Sequence, residues 1–84
     1  MKARVAVRLK AAILDPQGKA VHQSLQQLGY SEVKSVRIGK LIELELEGSN
    51  RIELENRVDE MSRKLLANLL METYDIEWEP DDNA

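Results

Sequence analysis

Four short segments of the chain alternate between apolar and polar residues, and this period of two constrains the fold more than any other feature. Successive side chains of a β-strand point to opposite faces, so the alternation is typical of strands with one buried face. The segments are residues 2–10, 33–38, 41–47 and 74–79. In the third, Ile42, Leu44 and Leu46 point inward while Glu43, Glu45 and Glu47 point outward. We therefore expect four strands with one apolar face.

Two further segments repeat their apolar residues at helical spacing. The first begins at Asp15-Pro16, because Asp15 can cap free backbone amides and Pro16 suits the first helical turn. Gly29 supplies its end. The second is predicted from Arg51 to Glu72, and its inward stripe is Leu54, Val58, Met61, Leu65 and Leu69.

The resulting element order is βαββαβ. It predicts an α+β, ferredoxin-like fold in which two helices cover one face of a four-stranded antiparallel sheet. Gly39-Lys40 suits the tight turn of a hairpin between the second and third strands. We expect one domain over residues 1–80, with Pro80 ending the last strand, and a short polar tail over residues 81–84.

Charge is distributed unevenly along the chain, since residues 1–40 carry a net charge of +6 and residues 41–84 a net charge of −9. In the usual strand order 4-1-3-2, acidic and basic strands alternate and neutralise each other. The charged side chains on that face are Asp75 and Glu77, then Arg4 and Arg8, then Glu43 and Glu45, then Arg37. This argues against a basic nucleic-acid surface, and the two central strands also lack the aromatics on which RNA-binding modules stack bases.

The composition provides little material for catalysis. There is no Cys, and His22 is the single histidine, so we expect it to have a structural role rather than to bind a metal. Glu43 and Glu45 have the spacing of paired hydrolytic carboxylates, but a salt-paired sheet surface explains them better. We therefore expect no catalytic, cofactor-binding or metal-binding residues. No apolar run reaches membrane-spanning length and no signal peptide is recognised, so a cytoplasmic location is expected.

Three features suggest contacts with other chains. A domain of 84 residues is marginally stable, which favours self-association. Leu66 and Leu70 lie off the main stripe of the second helix and are candidates for an oligomer interface, although scattered exposed leucines are also normal. Gly18, in the first helical turn, allows another backbone or a ligand to approach closely.

Several segments resemble the PurS subunit of phosphoribosylformylglycinamidine (FGAM) synthase over nearly the whole chain. They are Ile13-Leu14-Asp15-Pro16-Gln17-Gly18-Lys19-Ala20-Val21, Val36-Arg37-Ile38-Gly39-Lys40, Ile42-Glu43-Leu44, Leu65-Leu66-Ala67-Asn68 and Glu72-Thr73-Tyr74. The pairing of the first two is the specific signal. Leu41, where the family often has an aromatic residue, and Trp78 depart from the pattern.

The resemblance implies a homo-oligomeric, non-catalytic subunit of a glutamine-dependent ligase in purine biosynthesis, which converts FGAR to FGAM at the expense of ATP. Its partners would be the large synthetase subunit (PurL), which would hold ATP and magnesium, and the glutaminase subunit (PurQ). The candidate partner contacts are Asp15, Gln17, Gly18, Lys19, Arg37, Gly39 and Lys40. Capping explains Asp15 and turn geometry explains Gly39, so Gly18 and Lys40 are the stronger candidates.

The competing hypothesis is a free-standing, ferredoxin-like regulatory domain that binds a small effector between protomers. It predicts saturable binding of an amino acid or nucleotide to the isolated oligomer. The assembly hypothesis does not require such binding.

Overall fold

The computed structural model describes residues 1–79, which form two helices and a three-stranded antiparallel sheet. The strands are β1 (Lys2–Leu9), β2 (Lys40–Glu45) and β3 (Glu72–Glu79), and the helices are α1 (Pro16–Gln27) and α2 (Arg51–Met61), with a π-helical turn at Ser62–Leu66. The strand order is β2-β1-β3. The α+β class is confirmed, whereas the prediction of four strands is wrong. Pro80 and the predicted tail at 81–84 lie outside the described residues.

The strand predicted over residues 33–38 is absent. Residues 33–39 are not assigned to a strand and form no ladder with β2. Side chains take several of the backbone groups that a neighbouring strand would use. Gln26 Nε2 donates to the Val33 carbonyl oxygen at 2.8 Å, and the Ile38 amide donates to Asp15 Oδ2 at 2.7 Å. Residues 33–39 are therefore held mainly against α1, and no hairpin turns at Gly39-Lys40.

Gly39 has a different role from the predicted turn. A Cβ added to it would lie 2.5 Å from the carbonyl oxygen of Val7, and its φ is not positive. Lys40 is the first residue of β2 and pairs with Val7 of β1. The glycine is needed because the chain passes close to β1 just before the ladder begins.

The apolar face of the sheet is built as the alternation predicts. Val5 is fully buried and pairs with Ile42 on one side and Ile76 on the other, while Ala3 pairs with Leu44 and Trp78. The buried core comprises Ala3, Val5, Val7, Val58 and Ala67. Residues of α2 and the π-helical turn thus cover the face that the three strands present.

The opposite face confirms the predicted alternation of charge for these three strands. Arg4 of β1 pairs with Glu43 of β2 and with Glu77 of β3. Lys2 likewise lies opposite Glu45 and Glu79. Opposite charges on neighbouring strands stabilise the register, and this face is not broadly basic. Arg37, predicted on the outermost strand, lies outside the sheet.

The second helix ends eleven residues earlier than predicted. After Met61 the chain forms a π-helical turn, in which the Ala67 amide bonds the Ser62 carbonyl at 2.9 Å, and Ala67 then becomes extended. The wider turn rotates the following side chains relative to an α-helix. As a result Leu65, predicted to point inward, is 83% exposed, whereas Leu66 packs against the core.

The first helix has the predicted ends but not the predicted packing. Asp15 caps the N-terminus of this helix, and Gly29, with a φ of 98°, follows the C-cap residue. Its one buried residue is Gly18, and none of its residues belongs to the described core. The expectation that both helices cover the sheet is therefore wrong for α1. The radius of gyration, 16.5 Å against about 12 Å for a compact chain of this length, reflects this open arrangement.

Candidate partner-contact site

Asp15 is the residue around which the predicted contact residues assemble. This residue is 8% exposed, and its two carboxylate oxygens accept from one amide nearby in the sequence and one distant amide. The Gly18 amide donates to Oδ1 at 2.9 Å, and the Ile38 amide donates to Oδ2 at 2.7 Å. One carboxylate thus caps α1 and ties it to the segment that leads into β2.

These contacts also set the protonation of Asp15. The amides of Gly18 and then Ile38 hold the pKa of this carboxyl below its ordinary value of 3.8, and the nearby Arg37 guanidinium acts in the same direction. Asp15 is therefore ionised at neutral pH. Because its oxygens are occupied by amides, it is a structural anion rather than a free base.

Gly18 is required by the local structure, contrary to the sequence-based expectation. A Cβ at this position would collide with the carbonyl oxygen of Val36 and would lie 2.7 Å from Asp15 Oδ2. The close approach that a glycine permits is therefore made by the chain's own backbone. Its role as a partner contact stays a prediction, and its role in packing α1 against residues 33–39 is the observed one.

The remaining candidates lie around this junction on two sides. Gln17, Gly39 and Lys40 line a cavity of about 290 Å³ together with Asp15 and Glu72. Lys19 and Arg37 line a second cavity of about 300 Å³ on the other side of Asp15. Arg37 Nη2 donates to the Lys10 carbonyl oxygen at 2.8 Å, which holds its guanidinium close to the end of β1. The structure thus brings all seven predicted residues to one region.

The second cavity, called here the basic groove, includes residues that the sequence analysis did not select. It is lined by residues 11–15, Lys19, His22 and residues 34–37. Because a carbonyl only accepts, His22 Nε2 donates to the Val33 oxygen at 2.8 Å, which agrees with a structural role. Lys34 was missed because the segment was interpreted as a strand of the sheet. The three-residue spacing from Lys19 to His22 predicts that both side chains lie on the same face of α1.

The two leucines proposed for an oligomer interface have different surroundings. Leu66 packs against the core, so a structural role is established for it. Leu70 is 86% exposed, in the loop between the π-helical turn and β3. The other exposed large hydrophobic side chains in residues 1–79 are Leu14, Val21, Leu28, Tyr30, Leu41, Ile52, Leu65, Leu69 and Met71. The described part of the chain therefore presents much apolar surface to solvent.

One polar contact outside this region links the sheet to α2. The Tyr74 hydroxyl donates to Asp59 Oδ1 at 2.5 Å, and Arg63 Nε contacts the other carboxylate oxygen at 2.9 Å. The bond lowers the pKa of Asp59 and raises that of Tyr74, because it stabilises the carboxylate and retains the phenolic proton. This arrangement stabilises the fold and contains no activated nucleophile.

Two negative findings apply to residues 1–79. No group of three or more His, Asp or Glu side chains there is arranged to hold a metal ion. In the same residues, no helix has both the length and the apolar character needed to cross a membrane.

Comparison with known protein families gives a match over almost the entire chain. The family model described as "PurS: Phosphoribosylformylglycinamidine (FGAM) synthase" matches residues 2–80. The PurS subunit of FGAM synthase from Bacillus subtilis is 50% identical over 78 residues, which cover 93% of this chain and 92% of the relative.

Solved structures give the same result at the level of the fold. The PurS structure from Methanocaldococcus jannaschii, a subunit of formylglycinamide ribonucleotide amidotransferase, aligns with a TM-score of 0.85 and 36% identity. That alignment covers 96% of this chain and 98% of the other. A chain of the PurLQS structure from Thermotoga maritima aligns with a TM-score of 0.84 and 29% identity, covering 90% and 93% of the two chains.

Proposed function

The chain belongs to the PurS family of FGAM synthase subunits, and from this premise we propose that it bridges the synthetase subunit PurL and the glutaminase subunit PurQ. It is a subunit of a glutamine-dependent ligase of purine biosynthesis. The bridging keeps the site that releases ammonia close to the site that consumes it. ATP and magnesium bind to PurL, and the complex is located in the cytoplasm.

The observation that carries this proposal is the imbalance between core and exposed apolar surface. Five apolar residues are buried in the described part of the chain, whereas ten large hydrophobic side chains are exposed there. An excess of exposed over buried large hydrophobic side chains favours burial against other chains. A subunit that acts through contacts needs such surface and needs no reactive group of its own.

Self-association is part of the same proposal. Helix α1 contributes nothing to the described core, and both Val21 in the helix and Leu28 at its C-cap are exposed. A second copy that covers α1 and the Leu70 loop would bury this surface. The resulting oligomer then presents its candidate contact residues, Gln17, Lys19 and Lys40 among them, to the larger subunits.

A direct test is assembly from purified components. PurL, PurQ and this chain from the same source are mixed and separated by size-exclusion chromatography with light scattering. We expect a complex that contains all three proteins and that fails to form when this chain is omitted. A PurL–PurQ complex that is equally stable without the chain would contradict the bridging role.

Lys40→Glu tests the contact residues within this assembly. Lys40 is exposed at the start of β2, so we expect the variant to remain folded while its incorporation into the complex falls. Lys64→Glu, at an exposed position on the π-helical turn, is the matched control. Unchanged incorporation of the Lys40 variant would remove this residue from the proposed contact.

A further inference from the structure

The basic groove combines positive charge with apolar walls, and its three cationic side chains outnumber its single carboxylate. Its cationic side chains are Lys19, Lys34 and Arg37. Asp15 is the one acidic residue that lines it, and both oxygens of Asp15 already accept backbone amides. The three ion pairs found in residues 1–79 all belong to α2 and the π-helical turn, so the lysines of the groove keep their charges available.

The neighbouring cavity provides a useful comparison. The groove on the other side of Asp15 has a similar volume but includes Glu72 as well as Lys40, which leaves it without a clear excess of positive charge. The basic groove therefore concentrates cations on a chain whose formal net charge is −3. A local charge opposite in sign to that of the whole protein is a strong determinant of which partner approaches it.

The walls and the shape of the basic groove favour a peptide over a small anion. The groove is open to solvent, and its apolar side is formed by Ala11, Ala12, Ile13 and the 84% exposed Leu14. A free phosphate would use the cations but leave this apolar wall uncovered. A peptide segment that carries carboxylates beside an apolar residue would satisfy both.

We propose that the basic groove binds an acidic segment of one of the two larger subunits, with carboxylates against Lys19, Lys34 and Arg37 and an apolar side chain against Leu14. The inference rests on the proposed bridging function and names the chemistry of one of its contacts. A second copy of this chain is a poorer occupant. Acidic residues of its sheet, such as Glu43 and Glu77, already lie opposite Arg4.

The test is a titration of this chain into PurL and PurQ, with the rate of glutamine-dependent product formation as the readout. Lys19→Glu combined with Lys34→Glu reverses two exposed charges and spares Arg37, whose guanidinium bonds backbone carbonyls. Arg57→Glu combined with Lys64→Glu makes the same charge change on exposed positions of α2 and the π-helical turn. Circular dichroism and thermal unfolding verify that both variants are folded.

We expect the groove variant to raise the chain concentration needed for half-maximal rate by about tenfold at low salt, and the control variant to change it little. The difference should shrink between about 0.05 and 0.5 M NaCl, because salt screens exposed charges. Equal half-maximal concentrations for the wild-type chain and the groove variant would overturn the proposal, as would an equal loss in both variants.

Two further outcomes identify a different occupant. If the groove variant changes the oligomeric state of the isolated chain, the occupant is a second copy and the proposal is overturned. If inorganic phosphate or ATP binds the isolated wild-type chain saturably and the variant loses that binding, the occupant is a small anion and the proposal is again overturned. A wild-type chain that supports no glutamine-dependent rate would instead contradict the bridging function itself.

Discussion

The Ile38 amide donates to the carboxylate of Asp15 across 23 positions of the sequence, at a distance of 2.7 Å. The same carboxylate caps the first turn of α1 through Gly18. Together with Gln26, which donates to the Val33 carbonyl oxygen, Asp15 therefore holds α1 against the segment that precedes β2, although α1 has no residue in the described core. Asp15 lines both the basic groove and the cavity beside Lys40.

Acid should weaken this attachment. Amide hydrogen bonds lower the pKa of Asp15 from 3.8 in the folded state, so its contribution to stability is complete above that value and is lost as the pH falls through the folded-state pKa. We expect the midpoint temperature of thermal unfolding to decrease once the pH is lowered below about 4. In Asp15→Asn the fall should be shallower, because no carboxylate remains to be protonated at that position.

Asp75→Asn is the control for that experiment, because Asp75 is exposed on the outer face of β3. It should keep the acid dependence of the wild-type chain. Identical pH profiles for the wild-type chain and Asp15→Asn would show that the Asp15 contacts do not stabilise the fold.

Gly18→Ala should destabilise the chain by about 1–3 kcal/mol, because a methyl group would collide with the Val36 carbonyl oxygen and the backbone would have to move. Elsewhere in a helix the same substitution is favourable by about 1 kcal/mol, so the sign of the effect is diagnostic. Chemical denaturation measures it. Ser24→Ala, at an exposed position of the same helix, should change stability by less than about 0.5 kcal/mol. A stabilised Gly18→Ala variant would exclude the close approach.

Because of the π-helical turn, we expect truncation of two adjacent leucines to have different effects on the free energy of unfolding. Leu66→Ala should cost about 1–3 kcal/mol of unfolding free energy, since Leu66 packs against the core. Leu65→Ala should cost less than about 0.5 kcal/mol, since Leu65 is exposed. Equilibrium denaturation of the two variants measures both costs. A regular α-helix through this segment would give the opposite order.

Leu70→Glu should reduce association while leaving the fold intact, because its side chain has little contact with the rest of the described chain. Sedimentation of the isolated chain measures the oligomeric state, and thermal unfolding at high dilution checks the fold. Ile52→Glu, also exposed but on the first turn of α2, is the matched control. An unchanged oligomeric state in Leu70→Glu would exclude Leu70 from the interface.

Local patterns predicted those parts of the fold that depend on local chemistry. Alternation located β1, β2 and β3, and the cap at Asp15 formed as expected. The segment at 33–38 has the same alternation but forms no strand, and side chains instead bond its Val33 carbonyl oxygen and its Ile38 amide. Such long-range hydrogen bonds are not encoded in the period of a segment.

The same contrast between local patterns and long-range contacts applies to the candidate site. Its residues were selected from a family resemblance, and the fold brings them together around Asp15. The distinction between structural and available residues required coordinates, since Gly18 is enclosed by its own chain while Lys19 is exposed. The π-helical turn was also unpredictable from periodicity, because leucines at both 65 and 66 provide an apolar residue toward the core with either helical geometry.

The central claim is that this chain couples the glutaminase to the synthetase without taking part in the chemistry. The most direct measurement compares two rates of FGAM formation by PurL and PurQ, one with glutamine and one with ammonia, each with and without this chain. The account predicts that the glutamine-dependent rate requires the chain while the ammonia-dependent rate does not. If neither rate responds to the chain, or if both respond equally, the bridging function is contradicted.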